Sequence, residues 1–214
     1  MTNPQTARPA DAPPTLRERN RLRTRRELLD AALKVFAEKG FAGSAVEAIA
    51  AAAGASKVTL YAYFPGGRDD LFRELYEEIN GELLELATAS HADASGLVDR
   101  VVALTRPLLD IGARPLVGQF YSNADPAVEP ALAPVRGRAS TASRVYTKLI
   151  AEDAADARRS GLMDPGVEPE ALAVLLVGAM RAALVEVAAD STRSKRVLAG
   201  IAALTAGLLR PNHS

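Results

Sequence analysis

The stretch that decides the fold runs from Ser44 to Phe64 and reads SAVEAIAAAAGASKVTLYAYF. It predicts two short helices, 46–53 and 57–64, because apolar residues recur at three- and four-residue intervals in each. Gly54 supplies a left-handed turn between them, and Ser56 is a favoured N-cap for the second. Small alanines allow the two helices to cross closely. The pattern therefore predicts a helix-turn-helix unit.

The residues before this stretch predict one longer helix. It begins at about Leu16 or Thr24 and ends at Lys39, with Leu29 and Phe36 on its apolar face. Thr24 and Glu27 have capping-box spacing, which predicts weaker helix in the arginine-rich turns before them. Gly40 is the expected C-cap. Ser44 is expected to cap the next helix.

The residues after the stretch predict helices throughout, with no strand-like alternation. Pro65-Gly66-Gly67 ends the second short helix. The expected helices are 69–89, 95–111 with a kink at Pro107, 115–121, 126–159 with an irregularity near Pro134, 168–189 and 194–209. We expect an all-α protein of about nine helices. Its parts are a disordered tail (1–15), a three-helix helix-turn-helix domain (16–66) and a helical domain (67–210).

The composition excludes several classes of site. The chain has no cysteine and two histidines, His91 and His213, so disulfides and a structural zinc site are excluded. We find no P-loop and no dinucleotide fingerprint, and a histidine-based catalytic centre would rest on His91 alone. The sequence therefore predicts a protein that is not an enzyme and that binds no metal or cofactor. Without cysteine, the cytoplasm is the expected compartment.

Neither the N-terminal segment nor the most apolar run has the sequence of an export signal or a membrane span. Residues 1–14 hold four prolines and no apolar run, which is untypical of a signal peptide. The most apolar run, 171–187, contains Arg181 and Glu186. Because a charge near the bilayer centre costs about 2.5–3.5 kcal/mol, we interpret this run as a buried helix and expect no membrane partner.

The formal charge is zero overall but is segregated along the chain. Residues 1–68 carry 11 Lys and Arg against 6 Asp and Glu, a net +5, and residues 69–214 carry 15 against 20, a net −5. Six arginines lie between Arg17 and Arg26. At a helix N-terminus they oppose the helix dipole, so phosphate binding explains them better than helix stability does. A solvated charge run is the alternative interpretation.

The segments 24–41 (TRRELLDAALKVFAEKGF), 44–50 (SAVEAIA) and 53–64 (AGASKVTLYAYF) together resemble the DNA-binding domain of the tetracycline-repressor (TetR) family. The resemblance covers about 40 positions. It implies a homodimer that binds an operator with two half-sites, and a helical C-terminal domain that binds an inducer. The chain is then expected to be a sequence-specific transcriptional regulator, a repressor that a small, mainly apolar ligand releases from DNA.

The same resemblance assigns roles to individual residues. Lys57, Val58 and Thr59 match base-contacting positions, and Tyr61 and Tyr63 match phosphate-contacting positions. Arg68 takes the place of the lysine that usually begins the fourth helix in the family. The linker before it is one residue longer than is usual there. The complete expected DNA-binding set is Arg25, Arg26, Ser44, Ser56, Lys57, Val58, Thr59, Tyr61, Tyr63 and Arg68. Val58 either contacts a thymine methyl group or packs beside Ile49.

The last two helices are expected to form the dimer interface through their apolar faces. The predicted interface consists of Leu172, Leu176, Met180, Leu184, Val197, Ile201, Leu204 and Leu208. Packing of these residues within one chain is the alternative.

An effector pocket is expected among the middle helices. Its candidate wall residues are His91, Arg106, Gln119, Tyr121, Asn123 and Met180, although a structural or surface position is an alternative for each.

Other functional classes make different predictions. A nonspecific architectural DNA-binding protein would share the basic N-terminus but would not distinguish an operator from random duplex. An enzyme would show turnover of a substrate. An interaction scaffold would tolerate replacement of Lys57, Thr59 and Tyr61 without loss of DNA affinity.

Overall fold

The computed structural model of the protein describes residues 15–123 and 141–209, and within them every helix is an α-helix except the 3-10 helix Ser191–Arg193, and there is no strand. The all-α prediction is confirmed. In these residues there are nine α-helices: α1 Leu16–Lys39, α2 Val46–Ala52, α3 Lys57–Tyr63, α4 Arg68–Ala92, α5 Gly96–Gly112, α6 Val117–Asn123, α7 Thr141–Arg159, α8 Pro169–Ala189 and α9 Ser194–Ala206. The predicted tail up to residue 14 and the irregularity near Pro134 lie outside the described residues.

Helix α1 is continuous from its first turn, so the expected weakness before Thr24 is wrong. The capping box is formed by Thr15 and Glu18 instead: the Glu18 amide donates to Thr15 Oγ1 at 3.2 Å, and the Thr15 amide donates to Glu18 Oε2 at 2.6 Å. Reciprocal bonds of this kind satisfy two otherwise orphaned amides. The helix ends where expected, at Gly40, whose φ of 66° suits glycine.

Aromatic rings join the first helices of the chain to the later ones. Phe72 of α4 has ring centroids of Phe36, Phe41 and Phe120 at 5.6, 5.1 and 5.2 Å. Phe120 belongs to α6, whereas Phe36 and Phe41 belong to α1 and the loop after it. Aromatic side chains bury large apolar areas, so this cluster fixes α1, α4 and α6 together. The buried residues of the whole described chain form one continuous core.

Helix α8 is apolar on nearly every side. Nine of its 21 residues are buried, and it packs against α5, α6, α7 and α9. By length and composition it is the one described helix that qualifies as a membrane span, although 44% of its most apolar window is buried in the protein. Those contacts are the ones expected of a core helix.

Candidate nucleic-acid interface

The turn between α2 and α3 has the geometry that the sequence predicts. Gly54 has φ 63°, and the Ala55 amide donates to the Ala50 carbonyl at 2.9 Å. Ser56 caps α3 by accepting the Thr59 amide at 3.0 Å. Leu60 is fully buried and anchors α3 to the core. The outer side of this seven-residue helix therefore stays free.

The free side of α3 carries the predicted base-contacting residues. Val58 is 80% exposed, whereas Ile49 is fully buried, so packing of Val58 beside Ile49 is wrong. Lys57 is exposed, and Thr59 is half-buried with its hydroxyl 2.9 Å from Ser56 Oγ. These side chains lie on the N-terminal turn of α3, the part of a recognition helix that meets base edges.

The two tyrosines of α3 lie in different environments. Tyr61 is 48% exposed, whereas Tyr63 is half-buried and packs against the core. Gly67, with φ 61°, lies directly beside Tyr61: a Cβ there would approach Tyr61 Cε1 to 3.0 Å. The linker before α4 therefore leaves room for the Tyr61 ring. Asp70 accepts the Gly66 amide at 2.6 Å, and this bond lowers the pKa of the Asp70 carboxyl.

An ion pair that the sequence analysis missed lies on the same surface. Lys57 Nζ donates to Glu47 Oε1 of α2 at 2.9 Å, and both side chains are more than half exposed. The hydrogen bond raises the pKa of Lys57 and lowers that of Glu47. The two residues are ten positions apart, so only the crossing of α2 and α3 brings them together.

Ser44 does not cap α2, contrary to the prediction. The N-cap residue is Ala45, without a side-chain cap, and Ser44 is 1% exposed. Its hydroxyl donates inward to the Gly40 carbonyl at 2.5 Å. The hydroxyl is therefore withdrawn from any duplex in this conformation.

Arg68 is engaged within the chain. Its guanidinium lies 4.3 Å from the Phe41 ring centroid and donates to the Phe41 and Ser44 carbonyls, both at 3.3 Å. These contacts join the start of α4 to the loop between α1 and α2. They favour a structural role for Arg68, and its phosphate contact stays a prediction.

The arginines of α1 divide into two groups. Arg25 forms a bidentate pair with Glu74 of α4 and lies 4.9 Å from the Phe64 ring centroid. Arg26 pairs with Glu78 at 2.8 Å and with Asp30 at 2.9 Å, and the hydrogen bond to Glu78 raises its pKa. Both arginines thus hold α1 against α4, although Arg26 shares its guanidinium with Asp30 of its own helix. These pairs favour a structural role for both arginines, and their contact with DNA stays a prediction.

The other group lies on what we term the α1 extension, residues 15–23, every one of which is exposed. Arg17, Arg19 and Arg21 form no ion pair with any described residue, and Arg23 pairs only with Glu27, at 3.7 Å. These cations project beyond the core and remain available to an anionic partner.

The predicted pocket residues lie in different surroundings, and their role as the wall of one effector pocket stays a prediction. Arg106, Gln119 and Asn123 are exposed, whereas Met180 is 1% exposed inside the core. An open groove of ≈ 500 Å³ lies elsewhere, along α7, and is lined by Ser143, Arg144, Thr147, Lys148, Ala151, Glu152, Ala155 and Glu170. None of the predicted residues belongs to it.

His91 belongs instead to a polar cluster around the buried Asp153. Asp153 of α7 is 6% exposed and accepts His91 Nε2 at 2.7 Å and Arg100 Nη1 at 2.5 Å. Arg100 also donates to the Ala94 carbonyl at 3.1 Å. The cluster joins the end of α4 to α5 and α7. Among the described residues no three His, Asp or Glu side chains are arranged to hold a metal ion.

Tyr121 belongs to a second polar group, which we term the tyrosine cluster: Tyr76, Asn80, Tyr121 and Tyr146. The Tyr121 hydroxyl donates to Asn80 Oδ1 at 2.6 Å, and its ring stacks on Tyr76 at 5.3 Å. Tyr146 donates to the Leu104 carbonyl at 3.0 Å. Burial raises the pKa of the Tyr121 and Tyr146 hydroxyls. The cluster lies where α4, α5, α6 and α7 meet.

Most of the predicted dimer-interface residues face the interior of their own chain. Leu172, Leu176, Met180, Leu184 and Ile201 are buried, Val197 and Leu208 are half-buried, and Leu204 is 54% exposed. The five buried residues therefore pack within one chain, which was the alternative expectation, and a contact of Val197, Leu204 and Leu208 with a second copy stays a prediction. The exposed apolar residues form what we term the outer α8–α9 face: Ala171, Val174, Leu175, Gly178, Ala182 and Val185 of α8, and Ala199, Gly200, Ala203 and Leu204 of α9.

Comparison with known proteins places this geometry among related folds. Residues 28–75 match the family model of bacterial regulatory proteins, tetR family. The chain is 37% identical over 122 residues to the HTH-type transcriptional repressor LfrR of Mycolicibacterium smegmatis, a match that spans 56% of this chain and 61% of that protein.

Solved structures extend the likeness in fold to most of the chain. A TetR transcriptional regulator of Chloroflexus aurantiacus superposes with a TM-score of 0.69 at 20% identity, over 90% of this chain and 98% of its own. The fatty acid degradation regulator FadR of Bacillus halodurans superposes with a TM-score of 0.68 at 19% identity, over 86% of this chain and 99% of its own. FadR of Bacillus subtilis, in complex with stearoyl-CoA, superposes with a TM-score of 0.66 at 17% identity, over 83% of this chain and 97% of its own.

Proposed function

Because the chain belongs to the tetR family of bacterial regulatory proteins, we propose that it is a sequence-specific DNA-binding transcriptional regulator. It acts as a cytoplasmic repressor that a small, mainly apolar ligand releases from its operator. Residues 16–66 form the DNA-binding domain, and residues 67–210 form the sensing and dimerising domain. The free surface of α3 carries this proposal.

The surface of α3 is suited to a major groove. Leu60 and the Ser56 cap fix the helix, while Lys57 and Val58 are exposed on its first turn. Lys57 reaches guanine O6 and N7, Val58 contacts a thymine methyl group, and Thr59 contacts a base or phosphate. Tyr61 contacts the phosphate backbone, with Tyr63 beside it.

The α1 extension supplies further phosphate contacts. Its exposed arginines form no ion pair with described residues except the long one of Arg23. Each phosphate that a cation neutralises steepens the salt dependence of binding by about 0.9 in slope. The extension therefore contributes affinity for any duplex, whereas α3 contributes sequence preference.

A second copy of the chain covers the outer α8–α9 face. Val174 and Leu175 are 61% and 71% exposed on it, beside small residues that allow helices to approach closely. Two copies packed in this way form a four-helix interface with twofold symmetry. The two recognition helices would then meet half-sites about 34–36 Å apart, one turn of DNA.

The effector binds at the tyrosine cluster. Small-molecule sites are mainly apolar with a few placed polar groups, and this cluster places hydroxyl and amide groups in an apolar interior. α4 joins Asn80 of the cluster to Arg68 beside the DNA-binding helices. A ligand that prefers a different position of α4 shifts the population away from the DNA-binding state.

The proposal is tested by selecting bound fragments from a fragmented genomic pool and measuring the affinity of the recovered duplex against a random duplex at fixed salt. We expect the recovered duplex to bind at least ~10³-fold more tightly. Equal affinities would indicate a nonspecific architectural protein. A panel of apolar and amphipathic small molecules, with stearoyl-CoA among them, is then screened for release of the bound duplex, with Tyr121→Phe as the matched variant.

A further inference from the structure

Glu47 occupies an unexpected place for an acidic residue. Within residues 44–67 it is the sole acid and Lys57 the sole base, and the two side chains are paired at 2.9 Å. The Glu47 side chain is 63% exposed on the side of the helix pair that carries Lys57. If α3 enters a major groove as proposed, this carboxylate lies close to a duplex that repels it.

Fold stability does not account for the pair. Exposed ion pairs contribute little because water and salt screen them and both side chains lose freedom. Glu47 also lies in the first turn of α2, where the helix dipole favours an acid. An acid at this position would be stabilised by the helix dipole equally well if its side chain pointed away from Lys57. The dipole therefore does not explain the pairing.

The chemistry of the lysine ammonium suggests a different role. It has three N–H donors, of which Glu47 takes one. The remaining donors can meet guanine O6 and N7 while the pair stays intact. A contact between Lys57 and a phosphate is less favourable than this guanine contact. To reach a phosphate, the ammonium must either leave Glu47 or bring the Glu47 carboxylate beside a second anion.

We propose that Glu47 is a specificity-determining residue that positions Lys57 for base edges and opposes its contact with phosphates. This inference rests on the proposed DNA-binding function. It is a case of discrimination by repulsion: the carboxylate weakens binding to the wrong site more than to the right one. Without it, the flexible lysine would bind phosphate at any sequence as a point charge.

The test uses the full chain with Glu47→Gln, which keeps the shape and removes the charge. Dissociation constants are measured for the duplex recovered from the genomic pool and for a random duplex over a range of salt. We expect about fivefold tighter binding of the random duplex, a salt slope steeper by up to about 0.9, and a smaller change on the recovered duplex. Discrimination therefore falls by several-fold.

Two controls separate this role from a general charge effect. Glu38→Gln removes another exposed carboxylate, at the end of α1, that is not paired with Lys57, and should leave discrimination unchanged. In a Lys57→Met background, Glu47→Gln should no longer alter discrimination, because Glu47 acts through the ammonium.

Three outcomes would overturn the inference. They are unchanged discrimination in Glu47→Gln, the same loss in the Lys57→Met background, and an equal loss of affinity for both duplexes accompanied by a lower unfolding temperature. The last would assign Glu47 to the stability of α2. Absence of discrimination by the unmodified protein would instead contradict the proposed function itself.

Discussion

Helices α3 and α8 expose surfaces of opposite chemistry. Of the seven residues of α3 only Leu60 is buried, and its free side presents Lys57, Thr59 and Tyr61 around Val58. Helix α8 buries nine of 21 residues and still exposes Val174, Leu175 and Val185. A charged, hydrogen-bonding polymer suits the first surface, and another apolar surface suits the second. The difference indicates that one chain keeps two separate faces free for two kinds of partner.

The two helices also differ in how they are held. The Ser56 cap, the buried Leu60 and the half-buried Tyr63 hold α3, so its other residues can change without disturbing the core. Helix α8 is packed on several sides. Of two neighbouring residues, one therefore stabilises the core of the chain and the next lies on the outer face proposed for dimerisation. Substitutions in these helices and in the α1 extension, each compared with a second variant, test this contrast.

The largest effect is expected for Leu176→Ala. Leu176 is 1% exposed in the core, so the cavity should lower the free energy of unfolding by about 2–5 kcal/mol. Denaturant unfolding measures this loss. The neighbouring Leu175→Ala, at a 71% exposed position, should cause a smaller loss that depends on protein concentration. Equal, concentration-independent losses would contradict the assignment of the two faces.

Leu175→Glu should act on assembly instead of on the fold of one chain. A carboxylate on both sides of the proposed interface should raise the dimer dissociation constant at least ~30-fold, about 2 kcal/mol. Sedimentation equilibrium measures the change. Leu22→Glu, on a similarly exposed leucine of the α1 extension, serves as the control and should leave dimerisation unchanged. A fully dimeric Leu175→Glu protein would remove the outer α8–α9 face from the interface.

On α3, Lys57→Ala should reduce the preference for the recovered duplex by about 1–3 kcal/mol, the value of a good base contact. Tyr61→Ala should weaken both duplexes by similar factors, because phosphate contacts do not depend on sequence. Competition binding at fixed salt distinguishes the two patterns. If Lys57→Ala weakened both duplexes alike, Lys57 would be a phosphate contact.

Ser56→Ala removes the cap that begins α3 and should lower the free energy of unfolding by about 0.5–2 kcal/mol. Thr15→Ala removes the corresponding cap of α1, where residues 15–23 are all exposed. It should therefore fray the extension and leave global unfolding unchanged. Hydrogen exchange of the first turn of each helix, together with thermal unfolding, checks the pair. Loss of global stability in Thr15→Ala would show that the extension is packed.

The smallest effect is expected for Arg19→Ala on the α1 extension. The plot of log affinity against log salt should become shallower by up to about 0.9, with no change in sequence preference. Lys195→Ala, an exposed cation on α9, is the control and should leave the slope unchanged. An unchanged slope for Arg19→Ala would mean that this cation stays in solvent in the complex.

The helix-turn-helix unit could be predicted from sequence because its signals are local. Gly54 and Ser56 act within a few residues of themselves, and a single apolar stripe distinguishes the inside of α3 from its outside. The end of α1 at Gly40 follows from the same kind of local chemistry.

The interface faces of α8 and α9 could not be predicted because leucine, valine and alanine occur on every side of both helices. Periodicity then identifies a helix without showing which stripe meets its own core. The ion pairs between helices could not be predicted because their partners are far apart in the sequence. Arg25 and Glu74 are 49 positions apart, and His91 and Asp153 are 62 apart, so no local pattern reveals either pair.

The His91–Asp153 contact has a mechanical consequence for α4. It fixes one end of a helix of 25 residues, about 37 Å long, to α7, while the other end begins beside the helix-turn-helix unit. With that contact as a fulcrum, a tilt of about five degrees moves the distant end by about 3 Å, close to the 3.4 Å rise of one nucleotide step. In the proposed dimer, a movement of this size would be enough to put a recognition helix out of register with its half-site.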